Sequence, residues 1–273
     1  MAISSIILFS LGIPIIHLQG GDISGSLDNT YRHVISKFSN YHLVSNPNSG
    51  ENLIKMGERK NFIKIVGDHH LDNLKGNQLY SKKYILEKFK IKKKYCIVLQ
   101  HSETTQSENA KSQMLITLKA LDSYDIEKIV IYPCTDPGWK GIITAINSYK
   151  RNKNFKIYKN IEGKYFWSLL KNCAFIIGNS SSGIIESPFL KIPAINIGRR
   201  QNKRLKNKNI ISVSHNITAI KKAINKSLRF DKKILSKVKS LYGGGNANIK
   251  TFKIIKKLCK TNIKTTKIFS FEK

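Results

Sequence analysis

Residues 173–186 read CAFIIGNSSSGIIE, and the reading of this stretch decides the fold. The run 173–177 is apolar with β-branched residues, the pattern of a strand buried on both faces of a parallel sheet. Gly178-Asn179 is expected to break it. Ser180, Ser181 and Ser182 then fall where a helix would start, so that their hydroxyls and the free backbone N–H groups of a first turn would point the same way. Such a turn is an anion cradle, because the N-terminus of a helix carries partial positive charge. Glu186 lies four residues after Ser182, on the same face of that helix, and its carboxylate can accept hydrogen bonds from the vicinal hydroxyls of a ribose. A capped helix whose serines bind nothing accounts for the same pattern, and both readings stand at this point. The chain carries neither G-x-G-x-x-G nor a Walker A sequence, so the common nucleotide fingerprints do not apply.

Three further stretches narrow the choice: HLQGGDISGSLDNTYRH at 17–33, LQHSETTQ at 99–106 and NIGRRQNKR at 196–204. Together with GNSSSGIIE, in order and spacing, they resemble the UDP-N-acetylglucosamine 2-epimerases, most closely the hydrolysing type of the sialic acid and related nonulosonic acid pathways. The likeness runs over nearly the whole chain. It implies an α/β protein with two Rossmann-like domains of the glycosyltransferase-B type.

The 273 residues are 41% hydrophobic, enough for two domains with a core each. Forty-eight Lys and Arg against 17 Asp and Glu give a net charge of +31, which raises nucleic acid as a partner. The lysines are scattered along a chain rich in Asn and Ile, as a coding bias would scatter them, so no specific nucleic-acid binding is expected. The positive field favours anionic substrates such as nucleotide sugars. Cys96, Cys134, Cys173 and Cys259 form no C-x-x-C pair; Cys96 and Cys173 sit in strand-like runs and read as small core residues of a reduced, cytoplasmic protein. The start, MAISSIILFSLGIPIIHLQ, has no basic n-region and is interrupted at Gly12-Ile13-Pro14, so it reads as a helix end, a turn and a buried strand at 15–18. The apolar run is too short and broken for a membrane span.

The second candidate site is the glycine-rich loop GGDISGSLDN after that strand, at the carboxyl end of which open α/β sheets place their chemistry. It holds Asp22 and Asp28, with Gln19 just before. Asp28 or Asn29 also serves as a cap for a helix at 30–38. In the resembling family, the C2 proton of the sugar is removed with loss of UDP, and the glucal-type intermediate is hydrated on the other face. Such chemistry needs a base, an acid or water-positioning group, and stabilisation of the leaving phosphate. The resemblance implies a catalytic role for Asp28. Gln19 stands where sialic acid pathway members usually carry Glu, and Asp22 where another acid, often Glu, is found. Since Gln cannot act as a base, either Asp22 takes over that proton transfer or the substrate differs; the H-x-Q-G-G form is more typical of relatives acting on other UDP-sugars.

The resemblance further implies that His101, at the end of a strand at 95–100, binds the diphosphate or assists its departure, although Ser102 replaces the usual following proline. Arg200 matches the arginine that contacts the nucleotide phosphates, a task that suits its fork. In CTDPGWKGI, at 134–142, Cys134 replaces the family's Asn while Asp136 is retained as a substrate-binding candidate; Asp136 also fits as a plain turn residue before Pro137-Gly138. The cluster Asp68-His69-His70-Asp72 contains metal-ligand types, but neighbours on one turn rarely converge on an ion. The resemblance implies neither metal nor cofactor.

The expected organisation is the remainder of an N-terminal Rossmann-like domain at 1–88, a UDP-binding Rossmann-like domain at 89–245, and a C-terminal helix at 246–273 that crosses back to the first domain. Members of the resembling family begin with further chain, a glycine-containing strand–turn–helix and a G-D-R or G-D-T strand end. Without it, strand edges and apolar faces of the first domain would be uncovered. The expected partners are therefore a UDP-sugar, a second copy of the chain, and an upstream polypeptide that completes the first domain.

Overall fold

The structure, a computed structural model, describes residues 1–24, 28–261, 263 and 266–272. It divides into two compact units, Met1–Gly76 with Leu241–Lys273, and Asn77–Ser240. The expected boundary at residue 88 falls inside the second unit. The physical reason is the helix Lys82–Lys88, whose Ile85 is fully buried in the same cluster as Leu169 and Leu170 of the helix Gly163–Asn172. The C-terminal helix belongs with the first unit, as Asp72 accepts the backbone N–H groups of Ala247 and Asn248 and thereby caps it.

The first unit carries a parallel three-stranded sheet in the order β1-β2-β3, with β1 at Ile16–Leu18, β2 at Tyr41–Val44 and β3 at Ile63–Ile65. Leu43 and Val44 are fully buried, whereas β1 is an edge strand. The helix Ala2–Ser10 is apolar nearly all round and leaves Ile3, Ile7 and Phe9 exposed, with Leu11 beyond it. The helix Asp28–Phe38 starts two residues earlier than expected, at Asp28 itself. The end of the glycine loop, residues 25–27, lies outside the described residues.

The second unit is a parallel six-stranded sheet: β4 at Tyr95–Leu99, β5 at Glu127–Ile131, β6 at Phe155–Tyr158, β7 at Ile176–Gly178, β8 at Ala194–Ile197 and β9 at Ile210–Val213. The spatial order is β6-β5-β4-β7-β8-β9, every pair parallel. Both faces are covered, and the alternation along β4 shows how. Cys96 and Val98 pack with Met114, Leu118, Ile142 and Ile224 on one side, and Tyr95 and Ile97 pack with Ile85, Leu169 and Leu170 on the other. A strand buried on both faces reads as a continuous apolar run, which is why β4 and β7 are recognisable, although β7 starts at Ile176, three residues later than the run at 173–177 suggests.

This order is the doubly wound one, which winds outward in both directions from the β4–β7 pair. Crossovers leave the carboxyl ends of those two strands on opposite sides, so a crevice opens there. Gly178 makes the pairing possible. It closes β7 rather than breaking it, at a φ of 137°, and a Cβ there would lie 2.0 Å from the carbonyl oxygen of Leu99. Among the described residues, no helix is long and apolar enough to cross a membrane.

Candidate active site

In the second unit the ends of β4 and β7 are tied by one side chain. Asn179 Oδ1 accepts the backbone N–H of His101 at 2.7 Å, and Asn179 Nδ2 donates to the His101 carbonyl at 2.9 Å. Asn179 is buried, so the pair of bonds is shielded from water. His101 Nδ1 accepts the backbone N–H of Cys134 at 3.1 Å. That bond requires a lone pair on Nδ1, which places the ring proton on Nε2. Burial lowers the His101 pKa to about 4; the charge on Arg200 adds to this and Asp136 opposes it. The ring is therefore a neutral donor at pH 7, suited to an oxyanion such as a phosphate or a leaving oxygen.

Arg200 follows β8. Its Nη1 donates to the Asn179 carbonyl at 3.3 Å, and its Nη2 lies 3.6 Å from Asp136 Oδ2. Cys134 Sγ donates to the same Asp136 oxygen at 3.1 Å, and burial, then this bond, raises the thiol. Asp136 thus holds both Arg200 and the thiol, and its carbonyl accepts the backbone N–H of Trp139 at 3.0 Å, as a turn residue's does. Gln201 Nε2 donates to the Asn179 carbonyl at 2.9 Å, so Asn179 also anchors this loop.

The serines do not open the expected helix. Ser181–Gly183 form a 3₁₀ turn, and the α-helix that follows is only Glu186–Leu190. Serine hydroxyls compete with the backbone for hydrogen bonds, and Pro188 removes a donor inside the short helix. Ser180 Oγ accepts the N–H of Ser182 at 3.3 Å, so Ser180 caps the turn. The N–H groups of Ile184 and Ile185 close on the Ser181 carbonyl, which leaves a helix dipole little part in any cradle. Glu186 therefore opens its own helix instead of sitting one turn behind Ser182. It is 9% exposed, and its Oε1 accepts the indole N–H of Trp167 at 3.2 Å.

In the first unit the loop after β1 separates its two acids. Asp22 Oδ1 accepts from Ser49 Oγ at 2.7 Å and from Asn46 Nδ2 at 3.3 Å, at the N-terminus of the helix Pro47–Lys55. Its own carbonyl accepts from Arg32 Nη1 at 2.8 Å. Gln19, in the left-handed region at a φ of 61°, and Asp28 instead line one groove of about 820 Å3, shared with His17, Tyr31 and Arg32. The His-Asp cluster disperses: Asp68 Oδ1 accepts the backbone N–H of His70, His69 Nε2 bonds Thr251 Oγ1, and Asp72 caps the C-terminal helix.

Over residues 1–256 the chain matches the family model of UDP-N-acetylglucosamine 2-epimerase. It belongs to that family. It is 31% identical over 258 residues, 94% of this chain and 68% of the other, to a UDP-N,N'-diacetylbacillosamine 2-epimerase (hydrolyzing) of Legionella pneumophila. It is 34% identical over 217 residues, 79% of this chain and 57% of the other, to a UDP-N-acetylglucosamine 2-epimerase of Neisseria meningitidis serogroup B. The chain thus spans between just over half and about two thirds of the length of these relatives. Among solved structures, a UDP-GlcNAc 2-epimerase from Neisseria meningitidis bound to UDP-GlcNAc matches with a TM-score of 0.80 at 18% identity, over 95% of this chain and 73% of that one. A Staphylococcus aureus structure with UDP matches with a TM-score of 0.77 at 17% identity, over 98% and 73%. These likenesses show the fold that epimerases of this family share.

Sequence reading missed Asn179 and Glu103. Asn179 looked like a strand breaker, and Glu103 went unremarked inside LQHSETTQ. It is 3% exposed, and its Oε1 accepts the backbone N–H of Arg199 at 2.7 Å and lies 3.3 Å from His215 Nε2. The available signal was a charged residue two positions past His101, a candidate site residue just beyond the end of a buried strand.

Proposed function

We propose that the protein acts as a hydrolysing UDP-N-acetylglucosamine 2-epimerase. It would convert UDP-N-acetylglucosamine, or a related UDP-N-acetylated sugar, to UDP and the free mannosamine-type sugar that sialic and related nonulosonic acid synthesis consumes. The observation that carries this reading is the neutral His101 at the β4–β7 crevice, its Nδ1 bonded to the Cys134 N–H so that the ring proton is on Nε2, with the charge of Arg200 close by. A donor and a cation at such a crevice suit a diphosphate leaving group. Arg200 and the Ser181 and Ser182 hydroxyls hold the phosphates, with Ser180 shaping the turn and Asp136 steadying Arg200. Glu186 takes the ribose hydroxyls. Asp28 removes the C2 proton as the C1–O bond to UDP breaks. Gln19, in the same groove, positions the water whose hydroxyl adds at C1 as a proton returns to C2 from the opposite face. Asp22 holds the loop. The hydrolysing outcome is favoured by the Legionella relative, a hydrolysing 2-epimerase by name, which matches 94% of this chain.

A second reading is a UDP-sugar-binding chain that turns nothing over by itself. The test is to incubate the purified protein with UDP-N-acetylglucosamine and with UDP-N,N'-diacetylbacillosamine and to analyse products by mass and NMR. Free sugar with stoichiometric UDP supports hydrolysis; an epimerised UDP-sugar means the non-hydrolysing reaction. UDP binding without product leaves the second reading.

A further inference from the structure

We infer that Glu103 is the positioning residue of the loop that presents Arg200, an inference that rests on the reading of Arg200 as the phosphate-binding arginine. A buried carboxylate close to a site for an anion works against binding unless its charge is fully engaged. Glu103 meets that condition. Burial alone would raise its carboxyl, but the bonds from His215 and from the backbone N–H groups of Arg199 and Arg200 hold it below the ordinary carboxylate range. One side chain from the end of β4 therefore holds the Arg199 peptide group of the loop after β8, at 2.7 Å, and one histidine past the end of β9, at 3.3 Å.

The fit leaves no slack. Gly198 has a φ of 76°, and a Cβ there would lie 2.0 Å from Glu103 Oε1 and 2.5 Å from His215 Nε2. The loop can approach the carboxylate only with glycine at this position. Beyond the grip, Arg200 and Gln201 both reach the Asn179 carbonyl, at 3.3 and 2.9 Å. Asn179 in turn clamps His101. Glu103 thus sets the rotation of the loop about its own backbone, and the direction of the guanidinium follows from that. Removing the carboxylate frees the Arg199 peptide N–H at the root of the loop, and the guanidinium of Arg200 loses its fixed direction without losing its charge.

The experiment compares the full chain with Glu103→Ala, Glu103→Asp and Glu103→Gln. It reads backbone hydrogen exchange of residues 198–201 by mass spectrometry, with affinity for UDP and for uridine by calorimetry. In Glu103→Ala the loop is expected to exchange at least about tenfold faster and UDP to bind about tenfold more weakly, with uridine, which has no phosphates, little changed. Glu103→Asp retains the charge but falls one methylene short, and is expected to behave like the alanine variant. Glu103→Gln retains an acceptor for Arg199 and is expected to restore most of the protection. Wild-type exchange of the loop in Glu103→Ala or Glu103→Asp overturns the inference, and so does an equal loss of UDP and uridine binding. If the unsubstituted protein binds no UDP, the phosphate reading of Arg200 fails, and the exchange comparison still decides whether Glu103 holds the loop.

Discussion

Asn179 and His101 are joined by two reciprocal hydrogen bonds, of 2.7 and 2.9 Å, that fasten the carboxyl ends of β4 and β7 across the point where the sheet changes winding direction. Both bonds run to the His101 backbone, so the clamp fixes where the imidazole starts rather than what it does. The Asn179 carbonyl also accepts from Arg200 and Gln201. Replacing Asn179 by Ala leaves the His101 N–H and carbonyl without these partners in a buried setting, at a cost of about 1–3 kcal/mol. Asn179→Ala is expected to lower the denaturant midpoint of the second unit and to weaken UDP binding together. Trp139 and Trp167 are the chain's two tryptophans and both lie in that unit, so intrinsic fluorescence follows its unfolding specifically.

Acid sensitivity follows from the histidines. His101 in the second unit and His17 in the first are each lowered from 6.5 to about 4, chiefly by burial. Between those values the unfolded chain takes up a proton that the folded chain refuses. Stability is thus highest above pH 6.5 and falls as pH drops toward 4, by on the order of 3 kcal/mol for each group. Glu58 and Glu103 are lowered below 4.5, so their losses come at still lower pH. His101→Gln is expected to flatten the pH dependence of the second unit between 6.5 and 4.5 while leaving that of the first unchanged. Urea titrations at stepped pH, read by tryptophan fluorescence, check the second unit.

The three serines are expected to separate by role. Ser180→Ala removes the cap of the 3₁₀ turn and costs about 1 kcal/mol of stability. Ser181→Ala removes a hydroxyl assigned to the ligand and is expected to weaken UDP binding by about 1–3 kcal/mol with the thermal midpoint nearly unchanged. Glu186→Ala is expected to do the same, and Trp167→Phe, which removes the indole donor to Glu186, to give a smaller loss of about 1 kcal/mol. Paired calorimetric titration and thermal scans distinguish the two classes.

Asp28 is expected to matter for turnover alone. It lies at the first position of its helix, exposed in the groove that Gln19 also lines. Asp28→Asn retains the shape and the capping capacity but removes the base. Product formation is expected to vanish while UDP affinity stays within about twofold, because the phosphate-holding residues assigned here belong to the other unit.

What was legible in the sequence follows burial. The buried strands β4 and β7 lie in continuous apolar runs, at 95–99 and 173–177, and announced themselves because a parallel sheet covered on both faces demands that pattern, although β7 itself takes up only Ile176–Gly178. FKIY at 155–158 and IISV at 210–213 lie toward the sheet edges, are short and carry polar residues, and nothing in their periodicity marks them as β6 and β9. The chemistry-bearing residues were visible as types, but their engagement was not. Whether a serine caps its own turn, or an aspartate bonds a distant helix as Asp22 bonds Ser49, depends on contacts 27 residues away in the chain. Asn179 and Glu103 are harder still, since their work is done by bonds to backbone groups, and the position of Glu103 just past His101 hints at a role without showing which groups it bonds.

The last prediction concerns the first unit. Lys267 Nζ is 7% exposed and donates to the carbonyls of Ser36 and Ser39, each at 2.8 Å, and to Glu58, at 2.8 Å to the nearer oxygen. Ser36 belongs to the helix that begins at Asp28, so the cation sits at the negative end of that helix dipole. Glu58 is itself bonded to the buried His42 at 3.0 Å. Lys267→Met leaves the Glu58 carboxylate buried with one cation fewer, and breaking such a pair costs about 3 kcal/mol. Adding Glu58→Gln removes the stranded charge, so the double variant is expected to recover a large part of the loss. Hydrogen exchange of residues 28–38 reads the effect where tryptophan fluorescence is blind. If Lys267→Met leaves that exchange unchanged, the C-terminal segment does not hold the helix that presents Asp28.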